Sequence, residues 1–301
     1  MSSRAVRLTT LTENTASKSG LLAEHGLSIL VEVDGRRVLL DTGATHTAVH
    51  NARALGVDLS TLNAIVLSHG HHDHTGGLKD VLREATRDGR EVTVVAHPDI
   101  WSPHYSRRRS DRPRYAGIPF LREEMESLGA RFRLERGPVE VAEGVLTTGE
   151  VPMTTPFERI DQNLVVRDGA GWRQDELLDD LALVVRTDLG LLVIAGCAHR
   201  GIVNTLEQAQ RVTGEHRVYA VVGGTHLGFA PDDQLEHTVR ALKKLDVRRL
   251  GVSHCTGLRA AARMAHEVGE AFFFASAGTS LEIPTEEAPT KEIPTKTPTT
   301  S

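Results

Sequence analysis

Short apolar runs separated by polar, glycine-flanked loops set the rhythm of this chain. Ala64-Ile65-Val66-Leu67, Val92 to Ala96, Leu191 to Ala195, Val218 to Val222 and Arg249 to Val252 have the length and β-branched content of buried strands. Between them, apolar residues at helical spacing predict helices over 45–55, 78–87, 120–128, from just after Gly201 to Thr213, 232–245 and 258–268, with Gly56 and Gly129 as stop signals. Asp34-Gly35 is a two-residue turn and predicts a hairpin of 27–33 with 36–40. A second hairpin, 181–186 with 191–195, turns around Asp188-Leu189-Gly190. Arg4 to Leu11 reads as a first strand and Phe272 to Ala275 as a last one. Strands alternate with helices, hairpins occur as well, and the second half repeats the logic of the first. Two mixed sheets with helices outside them are therefore expected.

The rhythm breaks twice. His97 to Gly117 is polar and carries Arg107, Arg108, Arg109, Arg112 and Arg114, so it is either a solvated loop or an anion-binding lid. From Pro284 onward the chain is a Pro/Thr-rich, low-complexity stretch too poor in apolar side chains to offset its ordering entropy, and it is expected to be disordered. The expected organisation is one folded domain over 1–283 and a tail over 284–301.

Composition narrows the classes. With 301 residues, 40% of them hydrophobic, the chain can bury a sizeable core. A net charge of −5 gives no reason to expect nucleic acid or a membrane surface as partner. No apolar run reaches a membrane span, and the amino terminus shows no apolar signal core, which makes the cytoplasm the expected compartment. Two cysteines, Cys197 and Cys255, are too few for a disulfide framework and are expected to stay reduced.

The chemistry concentrates at 68–77, Ser-His-Gly-His-His-Asp-His-Thr-Gly-Gly, directly after the Ala64 strand. His69, His71, Asp73 and His74 offer imidazoles and a carboxylate, a donor set suited to zinc, with manganese or iron as alternatives, rather than to calcium or magnesium. On an extended loop, His69 and His71 can grip one ion, and Asp73 with His74 a second. An ion in such a place lowers the pKa of a bound water toward about 7. His254 follows the Arg249 strand and is the next candidate ligand; Cys197 follows the Leu191 strand and is either a ligand or a small buried hydrophobe. His199 and His226 lie in loops of the same kind and are expected to face the site as ligands or as catalytic substrate contacts, alongside Asp73. Glu150 is an alternative ligand from the first half. Asp41 is either a plain turn residue or a carboxylate orienting a ligand histidine. His25, His46, His50, His216, His237 and His266 have no such setting and read as surface or core histidines.

His69-Gly70-His71-His72-Asp73-His74 with Thr75-Gly76-Gly77 resembles the signature of the metallo-β-lactamase superfamily. The resemblance implies an αββα sandwich, an α+β arrangement of two mixed sheets flanked by helices, with the metal site at one edge. It matches Cys197 to the ligand of the second half and His254 to the last ligand histidine. The histidine usual between these has no counterpart in its expected place, and Glu150 stands nearest. Asp41-Thr42-Gly43, Thr148 to Pro152, Gly196 to Asn204, Gly223 to Leu227 and Ser253 to Gly257 resemble the 7,8-dihydropterin-6-methyl-4-(β-D-ribofuranosyl)aminobenzene-5′-phosphate synthase-like group. That group name implies a transferase joining a pterin methyl diphosphate to an arylamine ribose phosphate. The superfamily implies hydrolysis of a small ester- or phosphate-containing metabolite. A metal or ligand sensor on the same scaffold is the non-enzymatic alternative. The expected partner is a small molecule, and a homo-oligomer is compatible with the sequence.

Overall fold

The computed structural model describes residues 5–108 and 112–284. Arg4, Arg109 and the tail beyond Pro284 lie outside the described residues.

Two seven-stranded sheets face each other. The first runs, in spatial order, Ser280–Ile283, Val6–Thr12, Ser28–Val33, Arg36–Leu40, Ala64–Val66, Val92–Ala96 and Ala130–Leu134. The second runs Phe272–Phe274, Arg249–Ser253, Val218–Gly224, Gly190–Ala195, Ala182–Thr187, Val145–Thr147 and Glu140–Ala142. Each is half antiparallel and half parallel, with helices crossing over between the parallel neighbours. The Asp34-Gly35 turn holds the predicted register, pairing Val33 with Arg36.

Both faces of each sheet are covered, which explains the unbroken apolar runs. Successive side chains on a strand point to opposite faces. Leu192 and Ile194 accordingly join the core between the sheets with Ile29, Val31 and Leu183, while Leu191, Val193 and Ala195 turn outward onto Leu206, Leu235 and Met264. Helices Ile202–Thr213, Asp232–Lys244 and Gly257–Val268 form that outer layer. Helices Thr47–Ala54, Leu78–Ala85 and Arg122–Ser127 cover the first sheet around Leu39, Ile65 and Leu82. The layers are αββα, a mixed α/β sandwich of two sheets flanked by helices.

Three features depart from the sequence reading. Some helices are shorter at their ends, as with Thr47–Ala54 against 45–55. The ligand-rich stretch is not wholly extended, because His72–Thr75 makes one helical turn. A third, four-stranded sheet of Gly171–Gln174, Leu164–Asp168, Tyr105–Ser106 and Arg114–Tyr115 covers one edge of the sandwich. Two of its strands have two residues each, too short to show a period. Among the described residues, no helix is long and apolar enough to cross a membrane.

Loops leaving the carboxyl ends of Arg36–Leu40, Ala64–Val66, Gly190–Ala195, Val218–Gly224 and Arg249–Ser253 carry Asp41, the 68–74 stretch, Cys197 with His199, His226 and His254. They meet at that covered edge, the usual place for a site in open α/β sheets.

Candidate metal centre

The centre is built outward from the Ala64–Val66 strand. Ser68 Oγ lies 2.9 Å from His69 Nδ1, which turns Nε2 toward the opposite sheet. His71 is still extended and opens the short helix, which places its Nδ1 3.0 Å from His69 Nε2. From the second sheet, His199 brings Nε2 to 3.2 Å from the same atom. A tetrahedral ion with nitrogen ligands at about 2.0–2.1 Å has ligand-to-ligand edges of about 3.3 Å. Burial pushes the pKa of His69 and of His199 well down, and that of His71 down to about 3. All three rings are neutral, with converging lone pairs. Their far nitrogens, His71 Nε2 and His199 Nδ1, are buried without a hydrogen-bond partner. With the ring hydrogens on those far nitrogens, three acceptor nitrogens meet at one dry point, which is costly unless a cation satisfies them. These three residues fit a transition-metal ion.

A second cluster adjoins the first. The Asp41 carboxylate is fully buried and accepts from the Ser68 amide and hydroxyl, each at 2.7 Å, and from His74 Nδ1 at 2.7 Å. Burial lowers the His74 pKa, but Asp41 outweighs it and raises the ring to about 9 in the metal-free protein. His74 Nε2 then lies 3.1 Å from Cys197 Sγ and 3.2 Å from His254 Nε2. His254 is aimed by its Nδ1, 2.8 Å from Asn14 Oδ1, and its amide donates to Glu13 Oε1 at 2.7 Å. Asp73 Oδ2 sits 3.5 Å from His254 Nε2 and 3.1 Å from His25 Nε2. Asp41, Ala198, His226 and His254 all have φ between 52° and 59°. Such left-handed residues are strained, and four of them around one point is the kind of concentration found at functional sites.

The clusters open into a cavity of about 610 Å³ whose lining includes His71, Asp73, His199 and His254, with Ser106, Arg108, Arg114, Tyr115 and Leu164 from the small sheet. Arg108 lies flat over Phe229 at 3.4 Å, donates through Nε to Asp161 at 2.9 Å and reaches His226 Nε2 at 2.7 Å. Within the predicted arginine loop, Arg108 and Arg114 thus face the cavity, whereas Arg107 lies over Trp172.

Two expectations are corrected. Glu150 is not brought to the clusters. The 149–150 backbone is pinned against the 136–138 turn, where a Cβ on Gly149 would lie 2.6 Å from Gly137, so the carboxylate meets His97 and Arg136 at 2.9 and 2.8 Å instead. His199 stands with His69 and His71 in its place. His25 is not an isolated surface histidine, because Asp73 holds it at the cavity mouth. Its only sequence signal is the neighbouring Gly26, where a Cβ would come within 2.8 Å of the Asp73 carbonyl. His104 also went unremarked in its arginine-rich surroundings. It is buried against Asp175 at 2.6 Å and Asp179 at 3.4 Å, and Asp179 accepts the Gly70 amide at 2.7 Å.

Fold and donor geometry together define a class, and the comparisons agree with it: the chain belongs to the metallo-β-lactamase superfamily, whose sequence profile matches residues 22–151. It is 31% identical over 283 residues to the 7,8-dihydropterin-6-methyl-4-(β-D-ribofuranosyl)-aminobenzene-5′-phosphate synthase of Methanocaldococcus jannaschii, covering 89% of this chain and 93% of that one. It is also 31% identical over 254 residues to an uncharacterized protein of the same organism, covering 84% and 92%. The crystal structure of Tm1679, a metal-dependent hydrolase of the β-lactamase superfamily, superposes with a TM-score of 0.77 at 32% identity, over 92% of this chain and 99% of that one.

Proposed function

We propose that this protein is a metal-dependent enzyme that cleaves a small, phosphate-bearing or ester substrate in the 610 Å³ cavity. The observation that carries the reading is the convergence of His69, His71 and His199 on one point beside the His74, Cys197 and His254 cluster. His69, His71 and His199 would hold one ion; His74, Cys197 and His254, with Asp73, would hold the other. Bound there, divalent ions supply Lewis acidity and lower the pKa of a water toward about 7. Zinc suits the imidazole and thiolate donors, with manganese or iron as alternatives.

The chain's own residues do the rest. Asp41 holds His74 in one tautomer, so that Nε2 stays directed at the cluster. Arg114 presents a guanidinium group that matches phosphate oxygens, and Arg108, held through Nε and one terminal nitrogen by Asp161, has its other terminal nitrogen left for them. Tyr115 offers a ring to a flat substituent, and Leu164 with Ala116 makes an apolar wall. His226 reaches the same wall, where Arg108 fixes its ring.

The test is elemental analysis of purified protein, followed by assay of phosphate esters and anhydrides before and after chelation. Turnover that disappears with the metal and returns on adding zinc, manganese or iron supports the reading. Protein that binds none of these metals overturns it. A second reading, transfer of a pterin methyl group from its diphosphate to an arylamine ribose phosphate, is favoured by the likeness to the M. jannaschii synthase and by an aromatic and arginine lining in one cavity. It requires diphosphate release that depends on both substrates together. Tight ligand binding without turnover would favour a sensor.

A further inference from the structure

Cys255 has no part in the donor set described so far, yet its sulfur lies inside it. The Arg249–Ser253 strand ends in a short turn, His254–Thr256, that delivers His254 and Cys255 side by side. The Cys255, Cys197 and His254 donor atoms all lie within 4.8 Å of one another. For an ion with sulfur at about 2.3 Å and nitrogen at about 2.0–2.1 Å, tetrahedral edges are about 3.3–3.8 Å, so these three donors need only modest movement to close on one ion, and Cys197, 3.1 Å from His74 Nε2, links them to His74. Cys255 is buried and lines the cavity. Room is kept for its sulfur, since a Cβ on Gly224 would come within 2.7 Å of Sγ. The turn itself is clamped, with the Thr225 amide and hydroxyl donating to Thr256 Oγ1 at 3.1 and 3.0 Å.

We infer that Cys255 supplies a second thiolate to the position formed by His74, Cys197 and His254. The inference rests on the metal-binding reading above. With it, that position acquires two imidazoles and two thiolates, the set of a closed, tightly held ion. The Cys255 thiolate thereby takes the place given above to Asp73, whose carboxylate, 3.5 Å from His254 Nε2, stays with His25, 3.1 Å away. The open coordination place falls to the His69, His71 and His199 position, and the two positions divide their work: one holds an ion permanently, the other presents one to substrate. Thiolates also make the closed position soft, selecting zinc or iron over manganese there.

Cobalt substitution tests this without an activity assay. The sulfur-to-cobalt absorption of the loaded wild type should fall by about half in Cys255→Ser, by about half in Cys197→Ser, and vanish in the double variant, as one band per thiolate requires. A Cys255→Ser protein that keeps the full absorption overturns the inference and leaves Cys255 as an acceptor for the His226 amide, 3.3 Å from its sulfur. Should the variants fail to fold, X-ray absorption on wild-type protein carrying one zinc per chain decides the matter. Two sulfurs on that zinc are expected, and one or none overturns the inference. A protein that binds no cobalt or zinc at all brings down the proposed function with it. One that binds them through Cys197 alone brings down only this inference.

Discussion

The two sheets are laid out alike, yet they deliver their donors in opposite ways. The first concentrates His69, His71, Asp73 and His74 after a single strand, Ala64–Val66. The second spreads Cys197, His199, His226, His254 and Cys255 over the ends of three strands. The difference lies in the backbone. His72–Thr75 coils into one helical turn and can point neighbouring residues at two centres, whereas each loop of the second sheet drops back into a helix within a few residues and can aim only one or two. A concentrated motif is robust to the placement of the other sheet; a dispersed one depends on every strand keeping its register. Removing supports from each half tests that contrast.

The largest effect is expected at Asp41, the anchor of the first half. Asp41→Ala strands His74 and the Ser68 amide and hydroxyl in a dry interior, and loss of one partner from a buried pair costs about 3–5 kcal/mol. Denaturant melts of wild type and variant measure it, and a loss under about 1 kcal/mol would count against the anchor role. Next come His71→Ala and His199→Ala. If both serve one ion, each should remove about one metal equivalent and lower activity by about a hundredfold or more. Unequal metal loss would break the equivalence between the halves. Arg108→Ala should raise KM for a phosphorylated substrate about tenfold with little change in kcat, the size expected for one charge-assisted hydrogen bond.

The smallest effect is a pH dependence. Burial lowers the His104 pKa, but Asp179 and Asp175 together raise it to about 10 from the ordinary 6.5. A group raised on folding stabilises the protein fully below its unfolded pKa and loses that contribution as pH climbs through the folded value. The melting temperature of the wild type should therefore decline by a few degrees between about pH 6.5 and 10, a slope that should flatten in His104→Gln. Equal slopes would show that the ion cluster under Gly70 is not coupled to folding.

Much of this was readable before any coordinates. Two mixed sheets with helices outside follow from apolar runs alternating with helical spacing, the αββα sandwich from the resemblance carried by 69–77, and the first-half candidates from their spacing. What escaped the sequence was distance. Nothing local to Cys197-Ala198-His199 reveals that Ala198, at φ 52°, turns its neighbours toward different donor clusters. Glu150 seemed a ligand because its place in the chain was right, but Arg136 and His97 claimed its carboxylate. His25 and His104 lie in loops without pattern, and only tertiary contact with Asp73 and Asp179 gives them meaning.

The close backbone approaches around the metal motif have a consequence for how this scaffold can diverge. A Cβ on Gly77 would fall 2.1 Å from the Thr42 carbonyl, and one on Gly76 2.3 Å from that of Ala44. Almost any side chain there would push the motif off Asp41, so the chemical half of the site is closed to gradual change. The four-stranded cover is under no such constraint. It is carried on the segments 105–108, 112–115 and 164–174, which contribute Ser106, Arg108, Arg114, Tyr115 and Leu164 to the cavity but take no share of the three apolar clusters described above. Changes in those segments would reshape the cavity while leaving the histidine and cysteine clusters in place.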